Sequence, residues 1–149
     1  MILVMDGLID KTSDINKVDQ PQPMFIESQN LVGDYVRLID IARKEFGFMG
    51  YEGAELWTQI NTRTREHYDK DERLAQSTGE LSFPLCSIVY YAVVKDLVGG
   101  ELLVDGVAIA PKSGRVVMFS SGLLHSVNPF TGRRTSVLLN PWAKKPSAY

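Results

Sequence analysis

The sequence predicts a mainly β fold, an antiparallel barrel or double-sheet jelly roll with one or more N-terminal helices packed on one sheet. Three observations predict it. Short apolar, β-rich runs recur between residues 54 and 139. Turn-forming clusters separate them: GG at 99–100, DG at 105–106, PKSG at 111–114 and TG at 131–132. Only one long stretch, 30–46, carries helical spacing, so a helical bundle is excluded.

Taken in order, ILVM at 2–5 reads as a short strand, and PMFIES at 23–28 as a second. In NLVGDYVRLIDIARKEF, the residues Leu31, Val32, Tyr35, Val36, Leu38, Ile39, Ala42 and Phe46 recur at helical intervals. Asn30 is the expected cap of this helix and Gly47 its stop. Beyond GFMGYEG the pattern changes to strands at 54–60, 86–94, 101–105, 107–110, 115–120 and 134–139. Short strands are also expected around 64–69 and 125–128, whereas KDERLAQSTGELSFPL reads as a variable rim whose charged part is a solvated loop. The expected organisation is one domain over 1–149, with a jelly-roll core at 54–142.

Composition narrows the function. The 16 basic and 18 acidic residues give a net charge of -2, without the basic excess of a nucleic-acid binder. Residues 1–100 carry 10 basic and 16 acidic groups, and residues 101–149 carry 6 and 2, so the last third could hold a small anion. Cys86 is the single cysteine and lies in an apolar run, which excludes an intramolecular disulfide and suits a reducing, cytoplasmic compartment. The opening MILVMDGLID lacks the basic and long apolar regions of a signal peptide, and no stretch has the length of a membrane span. No membrane partner is expected, and the sequence fixes no oligomeric state.

The chain has two histidines, His67 and His125. His67 and Asp69 are two residues apart and would share a face on a strand. With His125 brought alongside by the rolled fold, they could hold one metal ion. Two imidazoles and a carboxylate form the facial set that suits non-haem Fe(II), with zinc the main rival. Arg134 follows His125 by nine residues. A turn around Pro129 and Gly132 would return it toward the same barrel, with Ser136 on its face. A guanidinium pointing into an apolar interior would call for an anionic ligand. Strand alternation alone does not choose between Arg133 and Arg134.

The ordered set HYD at 67–69, His125 and Arg134 resembles the H-x-D…H…R arrangement of the Fe(II)- and 2-oxoglutarate-dependent dioxygenases, in their prolyl hydroxylase-like branch. SIVYYAVV, GGELLVDG, PKSGRVVMFSSGLLHSV and GRRTSVLLNPW extend the likeness over roughly residues 54–142. The resemblance implies a double-stranded β-helix. It implies iron ligation by His67, Asp69 and His125, and pairing of Arg134 with the distal carboxylate of 2-oxoglutarate. Ser136 and Tyr91 would add contacts to that co-substrate, and Trp57 would line the pocket; Tyr90 and Tyr68 would point away.

The implied reaction consumes 2-oxoglutarate and O2, yields succinate and CO2, and hydroxylates a C–H bond, with ascorbate keeping the iron reduced. Asp69 occupies the place where halogenating relatives carry a small residue, which favours hydroxylation. Peptidyl proline is the first substrate expected, with a free amino acid or other small molecule as alternatives. Two other readings remain open from the residues alone. One is a cupin-like metal enzyme that does not use 2-oxoglutarate. The other is a non-catalytic ligand-binding jelly roll with structural histidines.

Overall fold

Nine strands and two α-helices form the fold: β1 (Ile2–Met5), β2 (Met24–Glu27), α1 (Gly33–Phe46), β3 (Gly53–Ile60), α2 (Glu72–Thr78), β4 (Cys86–Gly99), β5 (Leu102–Val104), β6 (Val107–Ile109), β7 (Val116–Ser120), β8 (His125–Val127) and β9 (Phe130–Trp142). The computed structural model describes residues 1–149. A six-stranded sheet has the order β1-β7-β4-β9-β3-β2, and a smaller sheet the order β6-β5-β8. All pairings are antiparallel. The sequence expectation of a mainly β jelly roll with an N-terminal helix on one sheet holds. No helix is long and apolar enough to cross a membrane.

The large sheet is buried on both faces, because a helix covers one and the small sheet the other. Successive residues of one strand therefore enter different cores. On the helix side, Ile88, Tyr90, Val116, Met118, Val137 and Leu139 pack with Leu38, Ile39 and Ala42 of α1. Their immediate neighbours Val89, Tyr91, Val117, Phe119 and Leu138 pack with Leu102, Val104, Ile109 and Val127 of the small sheet. Double-sided burial explains why these strands read as continuous apolar runs rather than alternating ones. Cys86 is fully buried in the helix-side core, where burial pushes its thiol up to about 12 and leaves it inert.

Four expectations need correction. The helix begins at Gly33 instead of Asn30; residues Ser28–Asn30 form a short 3-10 turn, and Gly33 has φ +59°, which no helix can run through. Gly47 does stop the helix, in the left-handed region at φ +75°. The 64–69 strand reduces to an isolated bridge between His67 and His125. The KDERLAQSTGELSFPL rim contains α2, capped by Asp71, whose Oδ1 accepts the Leu74 N–H at 3.0 Å. Finally, β4 and β9 each run well past their expected ends, so Gly132 lies within β9 and the turn falls at Asn128–Pro129.

Gly132 permits that extension. The β4–β9 ladder slips between Lys95 and Val98. At the slip, a Cβ on Gly132, at φ +100°, would sit 2.2 Å from the Asp96 carbonyl oxygen. Only glycine lets β9 cross this bulge and deliver its next residues inward.

Candidate active site

His67, Asp69 and His125 converge at one end of the space between the sheets, with one ligand atom from each within 4.8 Å of the others. His125 opens β8, opposite Val104. His67 is laid beside it by two backbone hydrogen bonds of 3.0 Å, one in each direction, and Val127 N–H donates to the Thr64 carbonyl. Asp69 does not arrive by strand alternation. It lies in irregular chain between that bridge and the Asp71 cap, and Asp71 is itself held by Ser147 N–H and Oγ at 2.7 Å.

The hydrogen bonds fix both imidazoles. His67 Nδ1 lies 2.7 Å from the Arg65 carbonyl and His125 Nδ1 lies 2.9 Å from the Leu123 carbonyl, so each Nδ1 carries the proton and each Nε2 presents a lone pair. Both lone pairs face Asp69 Oδ1, at 3.5 Å and 3.2 Å. Three acceptors cannot satisfy one another, and a shared cation would satisfy all three. The Asp69 carboxylate beside His67 raises the imidazole's pKa against the opposing effect of burial. Burial pushes the Asp69 carboxyl up, but the adjoining His125 and His67 imidazoles and the Ser87 hydroxyl outweigh it and hold the acid well below the usual range. Phe119 closes the dry side, its ring edge-on to His125 at 4.9 Å.

Arg134 lies on the same inner face. It is 2% exposed, whereas Arg133 is exposed, so the structure selects between the two arginines. Its Nη1 donates to the Gly100 carbonyl at 3.3 Å, and its Cζ sits 5.3 Å from the Tyr91 ring centroid. Its Nε has no partner, and neither does the Tyr91 hydroxyl or the Ser136 hydroxyl. Burial lowers the guanidinium pKa and raises that of the Tyr91 phenol, while Arg134 pulls the phenol back down. A buried cation with its own Nε and two hydroxyls, those of Tyr91 and Ser136, left unmet is suited to an anion.

The structure thus brings His67, Asp69, His125, Arg134, Ser136 and Trp57 to one cavity, with Tyr91 behind Arg134. Tyr90 faces the other core and bonds Asn16. Tyr68 packs edge-on against Phe83, 6.1 Å away. Two buried residues were missed by sequence reasoning, Ser87 and Asn140, both bonded to Asp69. The available signal was a polar residue on the inward phase of an apolar strand, two positions before Val89 and two after Leu138.

The residues fit a six-coordinate, oxygen- and nitrogen-preferring metal with an organic anion beside it: two neutral imidazoles, one carboxylate and a guanidinium lacking a counter-ion. Among solved structures, the chain is similar to a prolyl-4-hydroxylase from Pseudomonas putida, with 23% identity and a TM-score of 0.55 over 74% of this chain and 63% of that one. It is similar to a prolyl 4-hydroxylase from Phytophthora capsici, with 20% identity and a TM-score of 0.52 over 71% and 39%. A 2OG-Fe(II) oxygenase family oxidoreductase from Burkholderia pseudomallei gives 19% identity and a TM-score of 0.53 over 87% and 66%. The chain thus spans less than two thirds of the length of each. At these identities the likeness concerns the fold. No curated protein matches the sequence significantly. The family model of the 2OG-Fe(II) oxygenase superfamily matches residues 56–144, from β3 through the end of β9. With the triad and the buried arginine inside that span, the chain belongs to the 2OG-Fe(II) oxygenase superfamily.

Proposed function

We propose that this protein is an Fe(II)/2-oxoglutarate-dependent dioxygenase that hydroxylates a substrate C–H bond. The observation that carries the reading is the buried Arg134, whose Nε, with the Tyr91 and Ser136 hydroxyls, lacks a partner beside a 2-His-1-carboxylate triad. His67 Nε2, His125 Nε2 and Asp69 Oδ1 would hold the iron. When bound, the iron and the keto acid supply the oxidative decarboxylation and the C–H oxidation.

The chain's own residues bind, orient and exclude. Arg134 takes the distal carboxylate of 2-oxoglutarate as a charge-assisted partner, and Ser136 donates a hydroxyl to the same group. Tyr91 stacks under the guanidinium and gives its phenol to that carboxylate. The carbonyls of Arg65 and Leu123 keep both imidazoles in the Nδ1–H tautomer. Phe119, Val127 and Leu138 keep bulk water from the buried side of the cavity. Trp57, half-buried at the cavity wall, positions the substrate.

The whole of 1–149 acts as one dioxygenase domain in this reading, with its jelly-roll core at 54–142. Peptidyl proline is the substrate put first, supported by the fold shared with prolyl-4-hydroxylases. Ascorbate would serve as the reductant that keeps the iron ferrous, and the lone buried cysteine supports a cytoplasmic setting.

The test is an anaerobic titration of metal-free protein with Fe(II) and 2-oxoglutarate. A weak visible charge-transfer band that needs both additions supports the joined site. Iron binding without any band or 2-oxoglutarate affinity would overturn the reading in favour of a metal enzyme that uses no keto acid.

A further inference from the structure

Asp69 uses its two carboxylate oxygens differently. Oδ1 faces both histidine Nε2 atoms. Oδ2 is turned away from them and accepts two hydrogen bonds, from Ser87 Oγ at 2.7 Å and from Asn140 Nδ2 at 3.1 Å. Ser87 and Asn140 are each 2% exposed. They flank the Ile88↔Leu139 pair on the adjacent central strands β4 and β9, each of which is paired on both sides.

Asn140 is itself held at its other end, where its Oδ1 accepts the Ile88 N–H at 3.4 Å. The amide supplies a donor and an acceptor on one short planar group, whereas an aspartate would supply only acceptors and a leucine neither.

We infer that Ser87 and Asn140 are positioning residues that tie up Asp69 Oδ2 and so make Asp69 a one-oxygen metal ligand. This inference rests on the functional reading above and deepens it. The physical argument is one of competition. A carboxylate beside a divalent cation can bind through one oxygen or both, and two donors on the second oxygen favour the first arrangement. A six-coordinate ion held by three protein atoms keeps three positions for a chelating keto acid and O2. A two-oxygen Asp69 would consume one of them. The clamp also compensates for local structure, since Asp69 sits in irregular chain and no ladder fixes its side chain.

The experiment measures Mn(II) affinity by electron paramagnetic resonance, without turnover, on the full chain and on Ser87→Ala, Ser87→Thr and Asn140→Leu. Thermal melts of the metal-free proteins accompany each. Ser87→Ala removes one oxygen and is expected to stay folded, with Mn(II) affinity about tenfold weaker. Ser87→Thr keeps a hydroxyl and should recover to within about threefold of the parent, a rescue that packing alone would not produce.

At saturating metal, 2-oxoglutarate affinity should also fall in Ser87→Ala, because the freed oxygen competes for a coordination position. Asn140→Leu should weaken metal binding further; should it fail to fold, Ser87→Ala and Ser87→Thr still decide the matter. A folded Ser87→Ala protein that binds Mn(II) and 2-oxoglutarate like the parent would overturn the inference while leaving the functional reading intact. A parent protein that binds no Mn(II) would overturn both.

Discussion

The two faces of the large sheet are built from the same strands but behave differently. On the helix face, the inward residues of β4, β7 and β9 are apolar, and the one phenol among them, on Tyr90, finds Asn16. On the opposite face the same strands insert Arg134, Ser136, Asn140, Ser87 and Tyr91 among apolar neighbours. All three buried polar atoms without a partner, on Tyr91, Arg134 and Ser136, lie on that second face. The first face is satisfied by the fold alone. The second leaves a buried guanidinium and two hydroxyls unmet, a requirement that an anionic ligand would fulfil.

The sharpest way to break this contrast is to remove Asp69. Asp69→Ala deletes the carboxylate that unites the two imidazoles, and metal binding and hydroxylation should both be abolished; a titration that still saturates one equivalent of Fe(II) would remove Asp69 from the ligand set. A helix-face truncation is expected to do the reverse. Leu139→Ala should cost about 2–5 kcal/mol of stability, read by denaturant melts, while the metal and 2-oxoglutarate affinities of the folded fraction stay unchanged.

Next comes Arg134→Met. It should weaken 2-oxoglutarate by roughly a hundredfold, about 2.7 kcal/mol, as seen by calorimetry. Its melting temperature in ligand-free protein should hold or rise, because an uncompensated buried guanidinium has been replaced by an apolar side chain. A lowered melting temperature would mean that Arg134 is structural.

Gly132→Ala, forced into positive φ against the Asp96 carbonyl, should destabilise by about 1–3 kcal/mol and loosen the delivery of Arg134.

The smallest effect concerns Glu55, whose carboxylate accepts from Trp142 Nε1 and the Tyr149 hydroxyl at 2.8 Å each. Burial raises its pKa, outweighing both hydrogen bonds. The folded protein therefore holds this proton more tightly than the unfolded chain does. Its contribution to stability is fully present below the ordinary glutamate value and is lost as pH rises through the raised one. Glu55→Gln should gain a few degrees over the parent at neutral pH and nothing below the ordinary glutamate range. Melts of metal-free protein across pH check this.

The contrast between faces also explains what was legible. Strand content was readable because VVMF and SIVYY are apolar in both phases, as double-sided burial demands. The triad candidates were readable because the chain contains only two histidines and one H-x-D. The choice of Arg134 over Arg133 came from the family resemblance and not from strand alternation, since it depends on the β9 register, which the Gly132 crossing sets. Helix α2 was hidden by its length: seven residues give too few turns for a periodic signal, although Asp71 and Gly79 stand at its two ends as a usual start and stop. Ser87 and Asn140 looked like polar residues in apolar strands, and nothing local says that both address the same carboxylate oxygen.

The paired backbone bonds between His67 and His125 have a consequence for the energetics of the whole chain. They join positions 58 residues apart, and a metal held across them acts as a removable cross-link closing that span. Loading the ion should therefore behave thermodynamically like adding a tether. The melting temperature should climb with free metal concentration as mass action requires, and chelation should reverse it. Hydrogen exchange should slow most along residues 64–71, which are held to the sheet by a single bridge beside the ligands.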